Sequence, residues 1–464
     1  MHATPEEPRK RLLFFATPSR QGAGTAALTR HDRQPATDLT HVKARRQARR
    51  QAVQMKSDID TVPSRPSPAW LVHAPHRMLF FVGASNVLLA MLWWALWLLA
   101  TRWGGWSMPE TSVYAGWLHA LLMQYLVLPS FIFGFLLTVF PRWMGLPDLS
   151  RWHYVPVGLG MMGGQLAILL GASGWQAGIS VGLLLALGGW SSALLSLGRL
   201  LADEKGCTWH ARSCFAGLLL GWLGLVMFIA FTLGAPASWA FASIKLGSIG
   251  LLLPVYMTVA HRMFPFFAGN VVPGYRAWRP LWWLGAMWAL LLAHLGLELV
   301  HAYAWLWLAD LPLLLLAALA VYRWWPRGRM PGILAVLFIG SAWLPVTFTL
   351  YLVQSFTYLA SGAFVLGRAP MHALFIGFFG SLLVAMVTRV TQGHSGRPMR
   401  MPKVAWFAFA ALQAVAVMRI VADIAPDAMA WQAAAAVGWL LALAPWVGRI
   451  GWIYLSPRAD GRPG

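Results

Sequence analysis

From Leu79 onward, apolar blocks of about the 20 residues that a membrane-spanning helix needs follow one another with only short loops between them. Twelve can be drawn, over 79–101, 116–140, 154–172, 178–200, 213–234, 239–260, 281–301, 304–322, 333–357, 371–390, 404–424 and 430–453. The pattern predicts an all-α, polytopic membrane bundle, because helices satisfy their own backbone hydrogen bonds inside lipid. No Gly or Pro separates the seventh and eighth blocks, and Asp310-Leu311-Pro312 is an alternative start for the eighth. Soluble classes are excluded by composition: 58% of the 464 residues are hydrophobic and only 11% charged, against roughly a quarter charged in ordinary globular chains. Cys207 and Cys214 fit neither a CxxC nor a zinc spacing.

A net charge of +21 would suit nucleic-acid binding only if the cations gathered on one accessible face. They are placed otherwise. Of 36 Lys and Arg, 15 are assigned to the loops after even-numbered blocks, among them Arg142, Arg262, Arg389 and Arg397, and three more, Arg449, Arg458 and Arg462, to the C-terminal end. Loops after odd-numbered blocks contain only Arg102 and Arg368. Fourteen cations lie in residues 1–77, and Lys245 and Arg419 fall inside blocks. Positive charge stays on the cytoplasmic side, so both termini are expected there, with the lipid bilayer rather than nucleic acid as partner. Residues 1–77 read as a disordered basic cytoplasmic tail, with Met55 as an alternative start, 78–455 as the twelve-span domain and 456–464 as a short cytoplasmic tail.

Ionisable side chains are costly within a bilayer and mark sites by default. Here they are Lys245, His294, Glu298, Asp310, Arg419 and Asp423, with His119, His301 and His372 near block ends. At about 1.5 Å of rise per residue, nearly all fall in roughly the outer third, so a polar site should open toward the outer side. His294, Glu298 and His301 recur at i, i+4 and i+7, on one helical face. Imidazoles bind copper and haem iron, and a nearby carboxylate holds the second ring nitrogen. The alternative is that Glu298 pairs with Lys245 while both His residues sit at the interface. Asp310 has a simpler reading as a helix cap, and Arg419 with Asp423 as an intrahelical ion pair.

His119 and His372 open the second and tenth blocks in similar settings, Trp117-Leu-His-Ala-Leu and Pro370-Met-His-Ala-Leu. Two His on separate helices at equal depth suit two-sided haem ligation, or haem plus a second metal, and Met123 one turn after His119 is a soft ligand for Cu(I). The plainer alternative places both rings among lipid headgroups. Small-residue spacings such as Gly160-x-x-x-Gly164 point to close helix packing, the 28 Trp to interfacial belts, and His153, His210, His261 and His394 to solvated cytoplasmic positions beside Arg clusters. Lys245, Glu298 and Asp310 at similar depth also suit a secondary transporter.

Three stretches resemble the NnrS family. Trp117-Leu-His-Ala-Leu-Leu-Met through Gly134-Phe-Leu-Leu-Thr-Val-Phe-Pro-Arg-Trp is similar to its HAHEM and GFLLTA-x-P-x-W segments. His261-Arg-Met-Phe-Pro-Phe-Phe is similar to its GGR-x-I-P-x-F segment, and Met371-His-Ala-Leu with Met386-Val-Thr-Arg-Val-Thr-Gln-Gly-His-Ser-Gly-Arg-Pro to its LHALTVGA and MTRVALGHTGRP signature. The resemblance implies a twelve-span protein of the bacterial inner membrane, associated with haem and copper and with nitric oxide metabolism or stress. It implies cofactor binding by His119 and His372, to which the helical spacing adds His294 and His301 as candidate ligands. A non-catalytic haem or copper handling factor is a further reading. The chain departs from the family pattern at Leu121 and Leu122, where a His and a Glu are usual, and at Phe338, where a His is usual. Those departures imply fewer bound metals, or replacement of the missing ligands by His294 and His301.

Overall fold

The computed structural model describes residues 65–461; of the tail expected over 1–77, the part up to residue 64, with the alternative start at Met55, lies outside the described residues, whereas Pro68–His73 form a 3-10 helix and the first long helix already begins at Pro75. Among the described residues there are 12 helices long and apolar enough to cross a membrane. They are α1 Pro75–Trp103, α2 Ala115–Met144, α3 Arg151–Ala172, α4 Gly178–Asp203, α5 Trp209–Thr232 and α6 Ala237–Gly269. The second half comprises α7 Leu281–Leu299, α8 Trp307–Trp324, α9 Gly332–Ser361, α10 Ala369–His394, α11 Lys403–Val421 and α12 Ala428–Leu455. Each expected block falls on one helix, so the chain is a multi-pass membrane protein built as an all-α bundle. Below, the outer end means the cation-poor end.

Several helices run further toward the cation-rich end than apolarity alone indicated. Arg142, Arg262 and Arg389, read above as loop cations, lie inside α2, α6 and α10. Two of them set the guanidinium against an aromatic face: that of Arg262 lies 4.5 Å from the Trp143 ring centre and that of Arg389 3.9 Å from that of Phe267. Such amphipathic side chains let a helix continue past the apolar limit. Arg397 does lie beyond α10, in the turn where its N–H donates to the Gln392 carbonyl.

The same extension corrects two solvated-histidine expectations. His261 is fully buried and His210 nearly so. His210 Nε2 lies 2.9 Å from His261 Nδ1, and the His261 ring stacks on Trp283 at 5.4 Å. The interfacial belts likewise account for only some of the Trp residues. Trp152 and Trp452 are exposed, whereas Trp190, Trp283, Trp324 and Trp446 are fully buried.

Between α7 and α8 the chain reverses without Gly or Pro because His301 itself takes the left-handed conformation, φ 57°. The Ala302 N–H then donates to the Leu297 carbonyl at 2.8 Å, closing the helix end. Helix α8 starts at Trp307, so Asp310 sits within its first turn rather than at a cap.

The tightest helix pair is α3 with α4, where glycine replaces side chains at the contact. A Cβ on Gly160 would lie 2.7 Å from the Gly189 Cα, and one on Gly164 would lie 2.8 Å from the Gly182 carbonyl oxygen. Backbone cannot move aside as a flexible side chain does, so Gly160→Ala is expected to destabilise the hairpin by about 1–3 kcal/mol. Gly188 is next to the contact residue Gly189 but faces open space. Its replacement by Ala is expected to be neutral or stabilising by up to about 1 kcal/mol. Thermal unfolding of the two variants in detergent would separate them, and equal midpoints would disprove the backbone contact.

Candidate functional site

Helices α2, α6 and α10 share a local irregularity that positions the polar groups. Each contains a π-helical segment, Leu122–Val127, Leu246–Leu252 and Ala373–Gly380 respectively. The first two are followed at once by Pro129 and Pro254, which lack the N–H needed to continue the α-helical ladder. π turns leave carbonyls without their usual partners, and neighbours satisfy them here. The Trp190 indole donates to the Tyr125 carbonyl at 2.8 Å; from the same segment the Tyr125 hydroxyl donates at 2.6 Å to the Ser243 carbonyl, just ahead of the second π segment, joining α2 to α6.

Just before each π segment stands an ionisable residue: His119 three residues ahead of the first, Lys245 and His372 immediately ahead of the other two. All three line one cavity of about 400 Å³ at the outer end, together with Met123, Glu298, Tyr351, Arg368 and Arg419. Aromatic rings, among them Trp94, Trp97 and Trp439, make much of the remaining wall. π segments recur at functional sites because they displace side chains from the α-helical register.

The two His rings are held differently. His372 Nδ1 lies 3.0 Å from the Arg368 carbonyl, one turn earlier, so the N–H is placed there and Nε2 keeps its lone pair. The His119 ring stacks on Trp94 at 4.5 Å and 11°, and its buried Nδ1 has no hydrogen-bond partner. Each ring therefore retains a nitrogen free to ligate. The cavity's charged pair is Lys245 with Glu298, Nζ to Oε1 2.5 Å. This is the pairing weighed above as the alternative to a ligand role for the α7 face.

His294 and His301 lie off the cavity wall. His294 Nδ1 is 2.6 Å from Asp310 Oδ1, and its Nε2 is 3.5 Å from Glu298 Oε2. The His301 ring bonds the Tyr303 hydroxyl at 2.7 Å. Asp310 thus serves the His294 ring rather than a helix end. Arg419 and Asp423 form the expected i, i+4 pair at 2.9 Å. Leu121, Leu122 and Phe338, the three departures from the family pattern, are fully buried in the apolar core.

Sequence reasoning did not single out Arg368 or Trp94 as site residues. Arg368 carried a signal, since it is one of only two cations that break the charge alternation. Trp94 carried none, because an aromatic residue in an apolar block is the ordinary case.

These features define a polytopic helical membrane protein with a histidine-walled cavity at one end of the bundle. The match to known families is specific. Residues 70–458 match the model of the NnrS protein family, and the chain belongs to that family. None of the curated proteins matches it. The NnrS family is associated with haem and copper. The cavity fits the first, since two imidazoles on separate helices face an aromatic space. For copper, no three His, Cys, Asp or Glu side chains gather as a metal-binding group among the described residues, while His119 and the soft candidate ligand Met123 both line the cavity.

Proposed function

We propose that the cavity binds haem through His119 and His372, and that the protein binds or detoxifies nitric oxide there, in the bacterial inner membrane. The observation that carries this reading is that the two rings reach one aromatic cavity from α2 and α10, each with a ring nitrogen not used by the protein. A bound haem would supply an iron that changes oxidation state and that NO could ligate by displacing one of the two imidazoles.

The chain's own groups prepare the space. The Arg368 carbonyl fixes the tautomer of His372, and Trp94 fixes the plane of the His119 ring. Lys245 and Glu298 neutralise each other within the wall, so a polar pair borders the cavity without leaving either charge isolated. Apolar gas reaches an intramembrane cavity through lipid, and a hydrophilic path is unnecessary. Copper has no part in this proposal.

Purified protein is expected to carry a Soret band that shifts on addition of NO. Absence of the band, or a band indifferent to NO, would overturn the reading. The Lys245–Glu298 pair at the cavity favours a second reading, a secondary transporter. Uptake into proteoliposomes that is lost in Glu298→Gln and indifferent to haem depletion would establish it instead.

A further inference from the structure

The cavity's cations are not evenly matched by anions. Lys245 is paired with Glu298 inside the wall, and Arg102, the other cation of the outer loops, is held by both carboxylate oxygens of Asp427 at 2.9 and 3.1 Å from its Nε. Arg368 has no such partner: it lines the cavity, and none of the ion pairs among the described residues includes it. Arg419 also lines the cavity and is buried. Its carboxylate partner among the described residues, Asp423, lies four residues on, in the turn that follows α11. A guanidinium presents five N–H donors in a planar fork, and one carboxylate takes at most two of them. Two guanidinium groups with spare donors therefore border the same space as the two free imidazole nitrogens.

We infer that Arg368 and Arg419 bind the two carboxylates of the tetrapyrrole that His119 and His372 ligate. This rests on the haem reading above and adds to it the residues that recognise the macrocycle's acidic edge. Haem carries two propionate groups, and two guanidinium groups match them in number, charge and fork geometry. Arg368 acts twice within one helical turn. Its carbonyl oxygen holds the His372 ring, and its side chain is available to the carboxylate. A ligand set and an edge clamp anchored on one residue fix both the height and the rotation of a planar cofactor. Arg419 comes from α11, so the clamp also joins that helix to α10.

The test compares haem with its dimethyl ester, which has the same ring and iron but no carboxylates. The full-length protein, depleted of haem in detergent, is titrated with each, and the Soret band is followed. Charge-assisted hydrogen bonds of this kind correspond to roughly a tenfold gain in affinity each, so the wild type is expected to favour the free acid by about tenfold or more. Arg368→Gln, at an exposed loop position that does not carry the fold, should lose most of its share of that preference while retaining affinity for the ester. Arg419→Lys keeps a charge beside Asp423 and should retain part of its share, and the double variant Arg368→Gln/Arg419→Gln should bind acid and ester alike. Equal binding of acid and ester by the wild type, or an undiminished preference in the double variant, overturns the clamp and leaves the haem reading standing. Binding of neither compound by the wild type overturns the haem reading itself.

Discussion

Purified protein carrying His372→Ala is expected to lose its Soret absorbance while keeping the twelve-span fold. The His372 ring makes one hydrogen bond, to the Arg368 carbonyl, and otherwise faces the cavity. Its removal deletes a ligand without opening the core. His119→Ala should act the same way, since that ring contributes only its stack on Trp94 and its unpartnered nitrogen. Both losses should be near complete, because a site with two protein ligands on separate helices does not hold its cofactor well by one. His301→Ala serves as the control: that ring lies behind the cavity wall, bonded to the lining residue Tyr303, and the Soret absorbance should be retained. Full haem content in both His119→Ala and His372→Ala would overturn their role as ligands.

Loss of Glu298 is expected to have the largest effect on stability of any single change near the cavity. Its carboxylate stands between the Lys245 ammonium at 2.5 Å and the His294 ring at 3.5 Å, and His294 continues the chain to Asp310 at 2.6 Å. Glu298, His294 and Asp310 are all almost wholly buried. Glu298→Ala leaves an ammonium and an imidazole without their shared partner, and breaking a buried pair in this way costs about 3–5 kcal/mol. The double variant Lys245→Met/Glu298→Leu removes both charges together and should recover most of that loss. Thermal midpoints followed by tryptophan fluorescence in detergent would compare them. A Glu298→Ala midpoint equal to that of the wild type would remove the chain from any structural role.

The helices were legible because lipid imposes length and apolarity on every span, and the side preference of Arg and Lys tests the count independently. Helix ends were less legible. Arg262 and Arg389 look like loop residues by charge, yet their packing on Trp143 and Phe267 keeps them helical. His119 and His372 were found because titratable residues are rare inside spans. The separation of His294 and His301 from the cavity was hidden, since a shared helical face says nothing about what occupies the next helix. Asp310, on α8, claims one nitrogen of His294. The turn at His301 carries the other ring away, and a left-handed histidine has no sequence signature comparable to glycine.

The three π segments have a bearing on how this chain tolerates insertions and deletions. Each wide turn accommodates an additional residue, and one residue corresponds to about 100° of rotation in an α-helix. The outer ends of α2, α6 and α10 are thus out of phase with their own inner ends. The inner lengths present Leu136, Leu253 and Leu382 to the apolar core, and the outer lengths present His119, Lys245 and His372 to the cavity. Shortening any one segment by a residue would leave a straight, apolar, insertable helix whose polar end points at the wrong neighbour. Hydropathy would register nothing amiss, so length within these three spans, and not only residue identity, is a determinant of the site.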